Sequence, residues 1–170
     1  RHLPETMMNT SVARIEVDIS SQRMTVFDAE GRTVSYTISS SRNGAGEVED
    51  SECTPRGRHE IAEKIGAGSA PGTVFIGRRA TGEIYSPELA AAEPGRDWIL
   101  TRILWLSGLE PGYNAGGKRD SKSRYIYIHG TPDDTVLGTP GSRGCIRMHN
   151  NDVIELFARV ETGTPVIISE

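Results

Sequence analysis

Cys145 lies in the run Ser142-Arg143-Gly144-Cys145-Ile146-Arg147-Met148, and His129 ends the run Ile126-Tyr127-Ile128-His129-Gly130. A thiol attacks as its thiolate, and at an ordinary pKa near 8.5 it is mostly protonated at neutral pH, so it needs a base. An imidazole can remove that proton, and N–H groups on a sharply turned backbone can hold the oxyanion that follows. Those are the minimum parts of nucleophilic acyl transfer. A lone cysteine is more often a buried core thiol. Here Gly144 and the Pro140-Gly141-Ser142 turn suit an exposed, bent backbone instead. The reading is Cys145 as nucleophile and His129 as general base, with the Gly130 carbonyl orienting the imidazole through its far ring nitrogen. The backbone N–H groups of Gly144 and Cys145 are the expected oxyanion donors.

Other side chains fill in the site. Arg147 is expected to hold a substrate carboxylate or carbonyl, the bland alternative being a pair with a surface acid. Arg143 either binds substrate or flanks the turn, and Ser142 is grouped with these two as substrate-binding. Cys53, beside Thr54-Pro55, reads as a structural thiol. His149, at the start of a helix, is the alternative base. Tyr125 and Tyr127 read as packing, Asp133-Asp134 as a turn, and Trp98 and Trp105 as core or lid.

The elements that must position these residues are mostly β. Apolar positions 15, 17 and 19, then 24 and 26, then 34, 36 and 38 alternate with polar ones, with Glu30-Gly31 as a turn. Residues 39–51 read as a loop, and 57–65 as a strand with His59 and Ile61 on one face. Val74–Ile76 and Glu83–Tyr85 read as short strands, and 86–95 as a helical turn or loop. Trp98–Leu106 is apolar and is read as a strand, because it is short and bounded by Pro/Gly clusters. Asn151-Asp152 followed by Glu155 resembles a helix N-terminus. Val153, Ile154, Leu156, Phe157 and Val160 then form one apolar stripe, and Val166–Ile168 closes the chain as a strand. The expectation is a single mostly β domain over residues 12–170 with one helix in the C-terminal half, preceded by an N-terminal tail or expression remnant over residues 1–11.

With 170 residues there is room for one domain with a real core. A net charge of −4 and dispersed Lys and Arg give no footprint for nucleic acid, so no nucleic-acid partner is expected. No apolar run reaches the roughly 18–20 residues of a membrane span. Two cysteines make no disulfide framework, and a bridge between them would remove the nucleophile. That, with Met7-Met8 just ahead of the first strand and no secretory signal, is read as a cytoplasmic protein. The alternative is a periplasmic one whose export signal was removed. No cofactor and no metal are expected.

A His-Gly strand end followed by Ser-x-Gly-Cys-x-Arg resembles the signature of the L,D-transpeptidase catalytic domain, the YkuD-like family. The opening strands and Thr54-Pro55-Arg56-Gly57-Arg58-His59-Glu60-Ile61 resemble that family's Thr-Pro-x-Gly-x-(aromatic)-x-Ile element. Many members carry a second histidine where this chain has Arg143, and His59 stands where relatives have an aromatic ring. The resemblance implies a β-sandwich-like fold and peptidoglycan tetrapeptide stems as substrates. It implies cleavage between the diamino acid and the terminal D-Ala through a thioester, with carbapenem-type β-lactams as inhibitors. Water as acceptor gives an L,D-carboxypeptidase of murein recycling, and the amine of a second stem gives a 3→3 cross-link. The start near Met7 and the segment Arg96–Trp105 are similar to small cytosolic trimming members, so water is favoured. Trp98–Leu106 and Asn114–Gly117 are the segments expected to close the pocket. Two rivals remain: a zinc hydrolase using His129, His149 and a cysteine, and a non-catalytic murein-binding domain.

Overall fold

A computed structural model describes residues 10–170, so most of the expected tail over residues 1–11 lies outside the described residues. Alternation in the sequence becomes alternation between faces. Strands β1 (Val12–Asp18), β2 (Arg23–Asp28) and β3 (Thr33–Thr37) pair antiparallel, setting Ile15 opposite Val26, Val17 opposite Met24, and Met24 opposite Tyr36. All five side chains are buried on one side of the sheet. The C-terminal strand β10 (Pro165–Ser169) runs parallel to β1 and antiparallel to β4 (Gly57–Ile65).

The sheet continues from β4 to β7 (Ile99–Gly108), then through β5 (Thr73–Ile76) to β6 (Arg79–Ile84). A branch leaves β7 through β8 (Tyr127–Gly130) to β9 (Ile146–Met148). β9 meets the chain shortly after β3: Ser39 and Arg147 exchange two backbone hydrogen bonds of 3.0 and 2.9 Å. The sheet thus curls back on itself around a core shared by both ends. β1, β2, β3, β8, β9 and β10 all contribute buried side chains to it.

Trp98–Leu106, expected as a strand that helps close the pocket, is the strand on which three others depend. β7 pairs with β4, β5 and β8, and Leu100, Ile103, Leu104 and Leu106 are buried. Such a strand cannot swing over a pocket. Asn114 is no flexible flap residue either: its buried amide donates to the carbonyls of Arg56 and Arg58 at 3.0 and 3.1 Å.

Helix α2 (Asn150–Arg159) carries the predicted stripe, with Val153, Leu156 and Phe157 buried. It begins earlier than the sequence pattern suggests. His149 is the N-cap, without a side-chain capping bond. Residues 86–95 contain a short α1 (Pro87–Ala92), capped by Ser86 Oγ accepting the Leu89 N–H at 3.0 Å. No helix of the described residues is long and apolar enough to cross a membrane.

Two features place His129. A register shift in β7 between Leu100 and Ile103, with Thr101 at φ +77°, sets Gly130 opposite Leu100 and His129 opposite Ile103. Gly130 then lies so close to β7 that a Cβ there would sit 2.7 Å from the Leu100 carbonyl oxygen.

Elsewhere, His59 is fully buried with Nδ1 donating to the Gly57 carbonyl at 3.1 Å and Nε2 against Ser121 Oγ at 2.8 Å. Burial pulls the pKa of His59 and of His129 below the ordinary 6.5. The unfolded chain binds protons at these sites from about pH 6.5 downward while the native state does not, so stability should fall as pH drops below about 6.5. His59→Phe should flatten that fall in urea denaturation at pH 7.5 and pH 5.5. An equal loss in both proteins would show that His59 contributes nothing to it.

Candidate active site

Burial and hydrogen bonds define the state of the thiol. Cys145 Sγ accepts the Tyr127 N–H at 3.3 Å and donates to the Tyr125 carbonyl at 3.3 Å. Tyr125 sits at φ +58°, a conformation bulky residues seldom adopt. Burial pushes the Cys145 pKa up to about 12; the Tyr127 N–H, Arg147 and Arg124 pull the other way without prevailing. His129 is 1% exposed, and burial lowers its pKa despite the Gly130 carbonyl, which accepts from Nδ1 at 2.6 Å. With Nδ1 as the donor, Nε2 carries the free lone pair. The resting pair is therefore a neutral thiol and a neutral imidazole rather than a thiolate–imidazolium pair.

Both line one cleft of about 360 Å³, together with Arg78, Asp97, Arg124, Tyr125, Tyr127, Ser142 and Arg143. Parallel pairing of β8 and β9, with His129 opposite Arg147, sets the cysteine turn beside the histidine strand. His149 is exposed at the start of α2 and lines a different cleft, with Tyr36 and Asp152.

The cysteine turn is held from inside. Ser142, 1% exposed, donates its hydroxyl to the Cys145 carbonyl at 2.5 Å and accepts the Gly144 N–H at 3.2 Å. Expected to bind substrate, this side chain is spent on the turn itself. Thr54 Oγ1 donates to the Gly144 carbonyl at 2.9 Å and accepts the Ser41 N–H at 2.9 Å. Gly144 has φ +130°, which disfavours any side chain. Cys53 is half-buried and free, and its carbonyl accepts from Arg124 at 2.7 Å.

The two arginines of the motif reach the segment before β7. Arg147 donates to Asp97 Oδ1 at 3.3 Å and to the Gly141 carbonyl at 3.2 Å, so the pairing weighed as the bland alternative is present. Arg143, which is exposed, donates to the Gly95 carbonyl at 3.0 Å. Trp98 stacks edge-on against Tyr85 at 5.1 Å. Trp105 backs the cleft tyrosines, 5.9 Å from both the Tyr125 and Tyr127 rings.

Thr54, Asp97, Arg78 and Arg124 were not singled out from the sequence. Thr54 lies in the Thr54-Pro55 element, but its bond to Gly144 spans 90 positions and leaves no local pattern. Thr54→Val keeps the shape and strands a buried N–H and a carbonyl, a loss of about 1–3 kcal/mol. We expect lower stability and slower alkylation of Cys145 by iodoacetamide well below the melting temperature. An unchanged alkylation rate would reduce Thr54 to packing.

The family model for the L,D-transpeptidase catalytic domain (YkuD) matches residues 12–168. The YkuD protein of Bacillus licheniformis is 48% identical over 60 residues, 35% of this chain and 36% of that protein. YqjB of Bacillus subtilis is 41% identical over 59 residues, 35% of this chain and 32% of that one. The aligned segment thus spans about a third of each relative's length. Among solved structures, L,D-transpeptidase 3 of Mycobacterium tuberculosis superposes with a TM-score of 0.58 at 18% identity, over 95% of this chain and 62% of that one. The Enterococcus faecium L,D-transpeptidase gives 0.55 at 20% identity, over 94% and 50%. At those identities the likeness is one of fold. The family match covers nearly all of the described chain, and this protein belongs to the L,D-transpeptidase catalytic domain (YkuD) family.

Proposed function

We propose that this chain transfers the acyl group of a peptidoglycan tetrapeptide stem through a thioester on Cys145. The observation that carries the reading is the thiol and His129 on one cleft wall, with the imidazole tautomer set by the Gly130 carbonyl. Substrate binding turns the thiol from the Tyr125 carbonyl towards His129 Nε2, which takes the proton as sulfur attacks the carbonyl carbon. The carbonyl π pair moves onto oxygen. Gly144 already gives its N–H to Ser142, so the Cys145 N–H is the oxyanion donor that hydroxyl leaves uncommitted, and Gly144 must part from Ser142 to join it. Collapse expels D-Ala, whose amine takes the proton back from His129. The same thiol would open a β-lactam ring. The Mycobacterium tuberculosis relative was solved with a faropenem-derived adduct, and another L,D-transpeptidase with imipenem.

Water and the amine of a second stem compete for this thioester. For hydrolysis, the carboxypeptidase reaction favoured from the sequence, Trp98–Leu106 and Asn114–Gly117 were the candidate pocket covers. Trp98–Leu106 is instead a central strand that gives Ile99 to the cleft wall, and Asn114 is tied to the Arg56 and Arg58 carbonyls. The cleft mouth carries exposed Gly77, Tyr125 and Arg143. That open mouth supports transfer to an amine, the cross-linking reaction. The product assay uses a tetrapeptide with excess amine acceptor and mass spectrometry: the 3→3 dimer should dominate, and tripeptide as main product would restore the carboxypeptidase.

Two further outcomes test the chemistry. Cys145→Ala should lose turnover and carbapenem acylation while keeping the fold; an adduct on Cys53 in the wild type would sink the assignment. Because the His129 pKa lies below 6.5, the acid limb of kcat/KM should also lie below 6.5. Iodoacetamide alkylation of resting Cys145 should keep rising through pH 9, since the thiol ionises only near 12. A plateau in alkylation below pH 8 would indicate a preformed ion pair. His129→Ala should lower kcat about 10²–10⁴-fold.

A further inference from the structure

The charges in the cleft are unbalanced in a way the chain as a whole is not. The sequence has 19 basic and 23 acidic residues, for a net charge of −4. The cleft wall instead carries three guanidiniums, Arg78, Arg124 and Arg143, against one carboxylate, Asp97, which Arg147 already holds. Among the described residues, none of these three arginines has a salt bridge.

Their partners are neutral. Arg78 donates to the Tyr127 hydroxyl at 3.1 Å and lies over the Trp105 and Tyr125 rings at 4.9 and 4.8 Å. Half-buried Arg124 donates to the Cys53 carbonyl at 2.7 Å, the Gly46 carbonyl at 3.3 Å and Ser51 Oγ at 3.4 Å. Arg143 donates to the Gly95 carbonyl. Of the acids whose fields reach Arg78 and Arg124, Glu63 pairs with Lys122 and Glu47 with Arg56 and Arg119, while exposed Asp50 acts on Arg124 only at a distance, without a salt bridge.

Of the three, Arg124 is the guanidinium whose charge burial penalises, while Arg143 is exposed and Arg78 only partly covered. An incoming carboxylate offsets the cost at Arg124 and accepts charge-assisted hydrogen bonds from all three. We infer that the cleft selects acyl donors whose carboxylates are free acids rather than carboxamides, with Arg78, Arg124 and Arg143 as the specificity-determining residues. The inference rests on the stem-peptide reading and narrows its substrate. A terminal D-Ala carboxylate needs one cation. The others are placed to act on further carboxylates of the donor.

The test compares two tetrapeptides that differ only in whether those internal carboxylates are free or amidated. Wild type should turn over the free acid with kcat/KM about tenfold to a hundredfold above the amide. KM for the free acid should rise with ionic strength much more than KM for the amide. Arg78→Gln and Arg143→Gln should each lower the acid-to-amide ratio. Arg14→Gln, which removes the same charge from remote strand β1, should keep it. Equal kcat/KM for the two peptides with D-Ala released from both would overturn the selectivity and leave the stem-peptide reading standing. Release from neither would overturn that reading and the inference with it. A ratio unchanged in both folded cleft variants would also overturn the assignment.

Discussion

Three residues of parallel ladder between β8 and β9 hold the candidate site together. Pairing Ile128 with Ile146 and His129 with Arg147 brings the cysteine turn, which enters β9, against the strand that ends in the imidazole. A ladder this short is weak alone. It holds because β8 is pinned on its other side by β7, and because β9 is bridged to Ser39 at the far end of the curled sheet. Closing the sheet and building the site are therefore one event, since loosening the Ser39–Arg147 bridge would release the turn that holds Cys145.

Burial sets the electrostatics. A thiol and an imidazole removed from water both prefer to be neutral, and the single N–H from Tyr127 does not reverse that preference. Burial therefore favours the neutral thiol in the resting site. In the proposed mechanism attack is coupled to proton transfer when a substrate arrives. The arginines of the cleft supply positive charge without creating the thiolate, which fits a role toward the anionic parts of a substrate.

Polar groups behind the site are spent on geometry. Ser142 and Thr54 each use their hydroxyl both ways: both bonds of Ser142 and one of Thr54 hold the backbone of Gly144 or Cys145, and the other bond of Thr54 ties that turn to Ser41. Oxyanion stabilisation favours N–H vectors already in place, and of the two proposed donors the Cys145 N–H is the one the Ser142 hydroxyl leaves uncommitted. Two buried hydroxyls brace the turn, that of Ser142 at the cleft wall and that of Thr54 from the side of Ser41.

Read alone, the sequence determined the β alternation of the first three strands, the apolar stripe of α2, and the pairing of a Gly-flanked cysteine with a histidine at a strand end. These are local patterns: side-chain period, turn residues and residue chemistry within a few positions. Other features came only from tertiary structure. Trp98–Leu106 looked like a buried strand or a pocket cover, and only its three partner strands show that it is the centre of the sheet. Ser142 reads as a substrate contact until its hydroxyl is found inside the turn. Arg78, Arg124, Asp97 and Thr54 converge on Cys145 from positions 21 to 91 residues away. No periodicity encodes that convergence, because it arises from which strands lie side by side after the sheet has curled.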